Sequence, residues 1–378
     1  MIALLPGRLF DGAALRDGLA VLVEDGLIRD LCPIAALPDG VIRHDLAADS
    51  LLAPGFVDLQ VNGGGGVLFN DEPNPAGLAR IAQAHRRLGT TAILPTLISS
   101  DAATRGHAIE AVREALAAGM AGIAGLHLEG PFLAPARRGI HPAEAIATPD
   151  AADMAALCAA FPAPMLITLA PEIVQASYVA RLAQAGRIVF AGHSDATLDQ
   201  AMAGFDAGIT GTTHLFNAMS QLGSRAPGLV GAALLRGHAG IIVDLLHVAA
   251  ETIRIAHRVM GPRRLFLVSD AMSTVGSTID RFDLGGRSIR LSQGRLQDAA
   301  GTLAGAHLCM AQALRHAVQD VGIGLEDALA MATATPADAV GLSRHGRIAP
   351  GCRADFVVLD AGLAVRDVWQ GGVRCAAR

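Results

Sequence analysis

Downstream of Ala53-Pro54-Gly55 the sequence keeps switching between short apolar runs and alanine-rich helical stretches, and this alternation limits the possible folds more than any other feature. ARIAQAHRRLG runs into TTAILPTLISS, with Asn74 as N-cap, Pro75 at the first helical position and Gly89 as terminator. Thr148-Pro149 opens a helical stretch that leads to PMLITLAPE. Thr197 opens TLDQAMAGFDAG ahead of ITGTTHLF, and AAETIRIAHRVMG precedes RLFLVSD. Strand and helix alternating this often means parallel βαβ units, in a closed barrel or a doubly wound open sheet.

The flanks have a different texture. Residues 1–53 carry short β-like runs broken by glycine, proline and aspartate, and RHGRIAPGCRADFVVLD returns to that texture at the other end. Both termini are therefore expected to pair in one small β domain, residues 1–53 with 345–378, around an α/β body at 54–344. A chain of 378 residues has room for this elaboration.

Apolar residues make up 52% of the chain and charged ones 17%, and the mean hydropathy of +0.41 comes from alanine and glycine spread throughout. No uninterrupted apolar run approaches the ~18 to 20 residues of a spanning helix. The opening MIALLPGRLFDG lacks a basic lead and is broken by Pro6 and Gly7, unlike a signal peptide, so a soluble cytoplasmic protein is expected. A net charge of −5 without a basic cluster argues against nucleic acid. Cys32, Cys158, Cys309, Cys352 and Cys375 are scattered and never in CxxC spacing, which indicates neither a disulfide framework nor a cysteine zinc site. The chain also contains no lysine, which removes Schiff bases, Walker-type phosphate loops and carboxylated-lysine metal bridges together.

The strand ends carry the chemistry-bearing residues: His127 and Glu129 in GLHLEG, His193 in VFAGHS, His214 and Asn217 in GTTHLFN, Asp244 and His247 in IIVDLLH, and Asp270 in LFLVSD. Barrel enzymes place their chemistry at such strand exits. One histidine at a strand end is usually a surface or hydrogen-bonded residue. Glu129, His193 and His214 together are two imidazoles and a carboxylate with an open position, a familiar catalytic zinc set. Asp270 suits a general base near an activated water. His127 shares the face of Glu129 one layer deeper and is read as supporting the ligands. His44, His85, His107, His238, His257, His307, His316 and His345 lie in turns or helical stretches without convergence and are read as ordinary packing or surface residues.

Nine stretches follow one another in a recognisable order: APGFVDLQVNGGGG, GLHLEGPFL with GIHP, GHSDAT, THLFNAMS, APGLVGA, IIVDLLHV, LVSDAM, GTLAGA and GRIAPGCRADFVVLD. Together they span nearly the whole chain. In these stretches it resembles the amidohydrolase superfamily and, within it, the N-acetylglucosamine-6-phosphate deacetylase family. The resemblance implies a TIM-like (β/α)8 barrel with a small β-sandwich built from both termini. It implies metal ligands at Glu129, His193 and His214 and a catalytic aspartate at Asp270. Substrate contacts are implied at His141, Asn217, Ala218, Arg225, His247 and Leu303; a guanidinium such as that of Arg225 recognises phosphate bidentately. In the family, part of the phosphate pocket comes from a neighbouring subunit, so a homo-oligomer, dimer or larger, is expected.

Two-metal members carry His-x-His on the first strand and a carboxylated lysine; this chain has Asp58-Leu59-Gln60 and no lysine. Gln60 is thus read as a neutral neighbour of one retained divalent ion, Zn2+ first, with Fe2+, Mn2+ and Co2+ also suited to the ligands. The implied reaction is hydrolysis of an amino sugar phosphate's acetamide, with Asp270 as base and then acid and His141 helping to stabilise the oxyanion. The galacto epimer, another amide, and a catalytically dead scaffold are the rival readings. The stretch from Met272 to Gly286 departs from the family pattern.

Overall fold

The computed structural model describes residues 1–375. Eight parallel strands form one sheet in chain order: β1 Phe56–Val61, β2 Thr90–Ile98, β3 Leu126–Glu129, β4 Met165–Leu169, β5 Ile188–Ala191, β6 Ile209–Thr212, β7 His238–Ile242 and β8 Leu265–Val268. The sheet curls until its ends meet. The N–H groups of Asn62 and Gly63 donate to Ala271 O at 2.9 and 3.0 Å, joining the ends of β1 and β8. Of the two arrangements open to the sequence, the chain adopts the barrel.

Helices α1 Pro75–Arg86, α2 Ala102–Ala117, α3 Ala151–Cys158, α4 Ala176–Gln184, α5 Leu198–Ala207, α6 Gly228–Leu235, α7 Ala250–Met260 and α8 Met310–Gln319 wrap the barrel. Asn74 caps α1 by accepting the N–H of Gly77 at 3.0 Å, and Thr197 caps α5. Helix α3 starts later than Thr148-Pro149 suggests. Asp150 and Asp153 each accept the other's backbone N–H, and this reciprocal cap fixes the first turn at Ala151. The helices Leu325–Ala332 and Ala334–Ala339 pack against β8 and β1 at the closing seam.

The termini build the small β-sandwich. Strands Ile2–Leu5, Leu19–Glu24, Leu27–Pro33 and Ile42–Asp45 make one sheet. In the second, Leu51–Pro54 pairs antiparallel with Phe356–Leu359, so the two ends of the chain lie side by side. Leu4, Val21, Leu52, Phe356 and Trp369 fill the space between the sheets.

The glycine run after β1 is explained by crowding. Gly63-Gly64 pairs with Val67-Leu68, and a side chain would meet Val67 O at 2.3 Å from Gly63 or His85 Nε2 at 2.8 Å from Gly64. The Met272–Gly286 stretch leads into a three-stranded meander, Arg281–Leu284, Arg287–Ser292 and Arg295–Gln297, between β8 and α8. Its Leu284, Ile289 and Leu296 pack on Leu68, Ile98, Ile140 and Met272. Among the described residues no helix is long and apolar enough to cross a membrane.

Candidate active site

Period-two alternation points Asp58 and Gln60 of β1 to one side, and Asn62 continues the row into the barrel mouth. Glu129 is the last residue of β3. His193 and His214 each stand two residues past the end of β5 and β6, and Asp270 two past β8. His193, His214 and Asp270 adopt left-handed backbone, with φ of +47°, +32° and +50°. That conformation costs non-glycine residues about 1–3 kcal/mol each and persists where surrounding structure imposes it.

The result is a tight cluster. Glu129 Oε1 lies 3.2 Å from His193 Nε2 and 3.0 Å from His214 Nε2, and the two nitrogens are 3.0 Å apart. His193 Nδ1 donates to Arg137 O at 2.9 Å, which leaves the Nε2 lone pair facing the cluster. Ligands ~2.0–2.2 Å from one tetrahedral ion stand roughly 3.3–3.6 Å apart, close to the spacing here. Glu129, His193 and His214, all buried, thus form a set able to hold a metal ion. Burial alone would push the Glu129 carboxyl up, but the adjoining His193 and His214 rings hold it well below its ordinary range.

Asp270 lies beside this set. Its Oδ1 accepts Asn62 Nδ2 at 2.6 Å and Gln60 Nε2 at 3.1 Å, and the same Gln60 nitrogen is 3.1 Å from Glu129 Oε1. Burial, reinforced by the Glu129 charge, raises Asp270 to about 6. His141 is neutral, lowered to about 3 by burial and the nearby histidines. Its Nδ1 accepts the Ser99 N–H at 3.2 Å, so the ring proton belongs on Nε2, which is 3.9 Å from Glu129 Oε2. His247 Nδ1 bonds Asp244 Oδ2 at 2.6 Å; despite burial, that bond and the His247 charge keep Asp244 below its usual pKa.

Glu129, His193, His214, Asp270 and His141 line one cavity of about 370 Å3, and Asn217, Ala218, His247 and Leu303 line its walls. Gln60 sits behind the carboxylates it bridges. His127 is buried one layer down, lowered to about 4 by burial, with Nε2 2.8 Å from Thr168 Oγ1. Arg225 is not brought in: it is exposed, outside the cavity, in an exposed stretch at 221–226. The sequence reading gave no role to Asn62, Ser99 or Arg137. Asn62 was signalled by its period-two spacing from Gln60; Ser99 and Arg137 had no local signal.

The amidohydrolase family profile matches residues 51–374. The chain belongs to the amidohydrolase family. A second profile, the NagA composite domain, matches residues 1–51. An N-acetylgalactosamine-6-phosphate deacetylase of Shewanella is 40% identical over 95% of this chain and 92% of that protein. An N-acetylglucosamine-6-phosphate deacetylase of Haemophilus influenzae is 36% identical over 94% of this chain and 95% of that protein. The crystal structure of N-acetylglucosamine-6-phosphate deacetylase from Pasteurella multocida superposes with a TM-score of 0.95 at 34% identity, covering 99% of each chain. Within this amidohydrolase, Asp58 and Gln60 occupy β1.

Proposed function

We propose that this amidohydrolase removes the acetyl group from N-acetylglucosamine 6-phosphate, giving glucosamine 6-phosphate and acetate. The observation that carries the reading is the convergence of Glu129, His193 and His214 beside a carboxylate, Asp270, raised to about 6. The three residues would hold one divalent ion, Zn2+ being the best match to two imidazoles and a carboxylate. When bound, such an ion polarises a carbonyl and lowers the pKa of water from 15.7 to about 7. Gln60 turns its amide N–H toward Glu129, the wrong polarity for a ligand, which supports a single-ion site.

Asp270 takes the proton from the attacking water as its oxygen bonds to the acetamide carbon. A pKa near 6 leaves it ionised at neutral pH yet basic enough for the task. The Nε2–H of His141 points a neutral donor at the charge developing on the carbonyl oxygen. Asp270 then delivers the proton to the sugar nitrogen as the C–N bond breaks. Asn62 and Gln60 occupy Oδ1, which leaves Oδ2 for that proton.

The Asn217-Ala218 turn and His247 suit the sugar phosphate, and the Ala218 N–H makes no hydrogen bond among the described residues. Arg225, outside its own cavity and beside the exposed Leu222, is assigned to the cavity of a second copy in a homo-oligomer. Five free cysteines suit a reducing, cytoplasmic setting. The Shewanella relative favours a second reading, in which the galacto epimer is the substrate. Measuring kcat/KM for acetate release from both epimeric 6-phosphates and from the unphosphorylated sugar decides the matter. A strong preference for the gluco ester supports the first reading, a galacto preference replaces it, and no activity on any ester removes the substrate class.

A further inference from the structure

We infer that Arg137 selects the phosphorylated substrate and that Asp195 holds its guanidinium in place until the phosphate arrives. This rests on the proposed sugar phosphate substrate. A phosphate group needs cationic donors, and this chain has no lysine to offer. Among the described residues, Arg137 is the single arginine that lines the cavity.

The geometry ties Arg137 to both ends of the site. It lies in the turn after β3, and its main-chain carbonyl accepts from His193 Nδ1 at 2.9 Å. Its Nε donates to Asp195 Oδ1 at 2.8 Å, and its two Nη groups have no acceptor among the described residues. Asp195 is itself fixed. Its N–H donates to Glu172 Oε1 at 2.6 Å, and the preceding Ser194 gives its N–H to Ala218 O at 3.1 Å. The guanidinium is therefore moored on Asp195, with its Nη face free, in a residue that lines the same cavity as Asn217 and Ala218. The Arg137 and Asp195 side chains are 38% and 51% exposed, and an ion pair of this exposure is weak. A phosphate dianion can displace the carboxylate or share the guanidinium with it.

The test compares wild type, Arg137→Met, Arg137→Lys and Asp195→Asn, each with its metal, on N-acetylglucosamine 6-phosphate and the unphosphorylated sugar. Arg137→Met should raise KM for the ester about 10- to 100-fold, the scale of a lost charged hydrogen bond, and the loss should exceed that on the unphosphorylated sugar at least tenfold. Arg137→Lys should recover part of the preference. Asp195→Asn, which weakens the mooring of the guanidinium, should raise KM for the ester and the inhibition constant of inorganic phosphate while leaving the unphosphorylated sugar unchanged. Every variant retains the carbonyl that holds His193, so a purely structural role predicts equal losses on both substrates. Equal losses in an enzyme whose wild type prefers the ester overturn the inference alone. A wild type without that preference overturns the substrate reading first, and this inference with it.

Discussion

Asn62 donates its side-chain amide to Asp270 Oδ1 at 2.6 Å, the shorter of two amide bonds to that oxygen. The bond stabilises the ionised carboxylate against burial and the Glu129 charge, which raise it. Replacing Asn62 with Ala should therefore raise the Asp270 pKa above about 6. The acid limb of kcat/KM would move up by about one pH unit, with turnover lower near pH 6. A pH–rate profile checks this, and an unmoved acid limb would detach the bond from the chemistry.

Asp270, the proposed proton carrier, stands outside the Glu129, His193 and His214 set. Asp270→Asn should keep the metal and lose about 10²- to 10⁴-fold in kcat, the usual contribution of a positioned acid–base group. Elemental analysis alongside kinetics tests both halves. Near-normal turnover would take Asp270 out of the mechanism.

His193 is aimed by Arg137 O, so its removal deletes one of the three groups proposed to hold the metal and orphans a carbonyl. His193→Ala should lose metal content and activity together, and a chelator should do the same to the wild type, reversibly on adding Zn2+. A fully loaded His193→Ala protein would show the ligand assignment to be wrong.

Arg225 is exposed and lies outside its own cavity. Arg225→Ala should raise KM for the phosphate ester, by about tenfold if one charged hydrogen bond is lost, and more than for the unphosphorylated sugar. In an oligomer mixed from Arg225→Ala and Asp270→Asn subunits, activity on the ester should reappear in the cavity that combines an intact Asp270 with the intact Arg225 of the other subunit. Absence of any such recovery would place Arg225 in its own subunit's site.

Asp58 contributes to the pH dependence of stability. It is fully buried, Oδ2 has no partner, and burial raises its carboxyl to about 7 despite bonds from Ser269 and Gln60. The folded protein keeps this proton from pH 3.8 to about 7 while the unfolded chain releases it, so Asp58 makes stability fall as pH rises through that window. Asp58→Asn should remove that contribution and stabilise the protein at pH 8 by on the order of 4 kcal/mol. Urea unfolding from pH 4 to 8 would show it; a variant less stable than wild type at pH 8 would mean that Asp58 is held as a favourable charge.

The alternation that makes a βα barrel is written in the chain, because the spacing of apolar residues and caps such as Asn74 and Thr197 is local chemistry. So is the placement of Glu129, His193, His214 and Asp270 at strand exits, since each follows its own apolar run directly. Tertiary structure decided what those exits do. Closure of β1 on β8 brings Asn62 to Asp270, residues 208 positions apart, and no local pattern encodes that bond. The same holds for Arg137, which no motif singled out. Its carbonyl meets His193 and its guanidinium meets Asp195 only because β3 and β5 place their loops side by side at the barrel mouth. Arg225 is the converse case: its motif is legible, but a monomer leaves it outside the cavity. Local periodicity fixes which way a side chain leaves its strand, while its partners depend on which distant loops the closed barrel brings together.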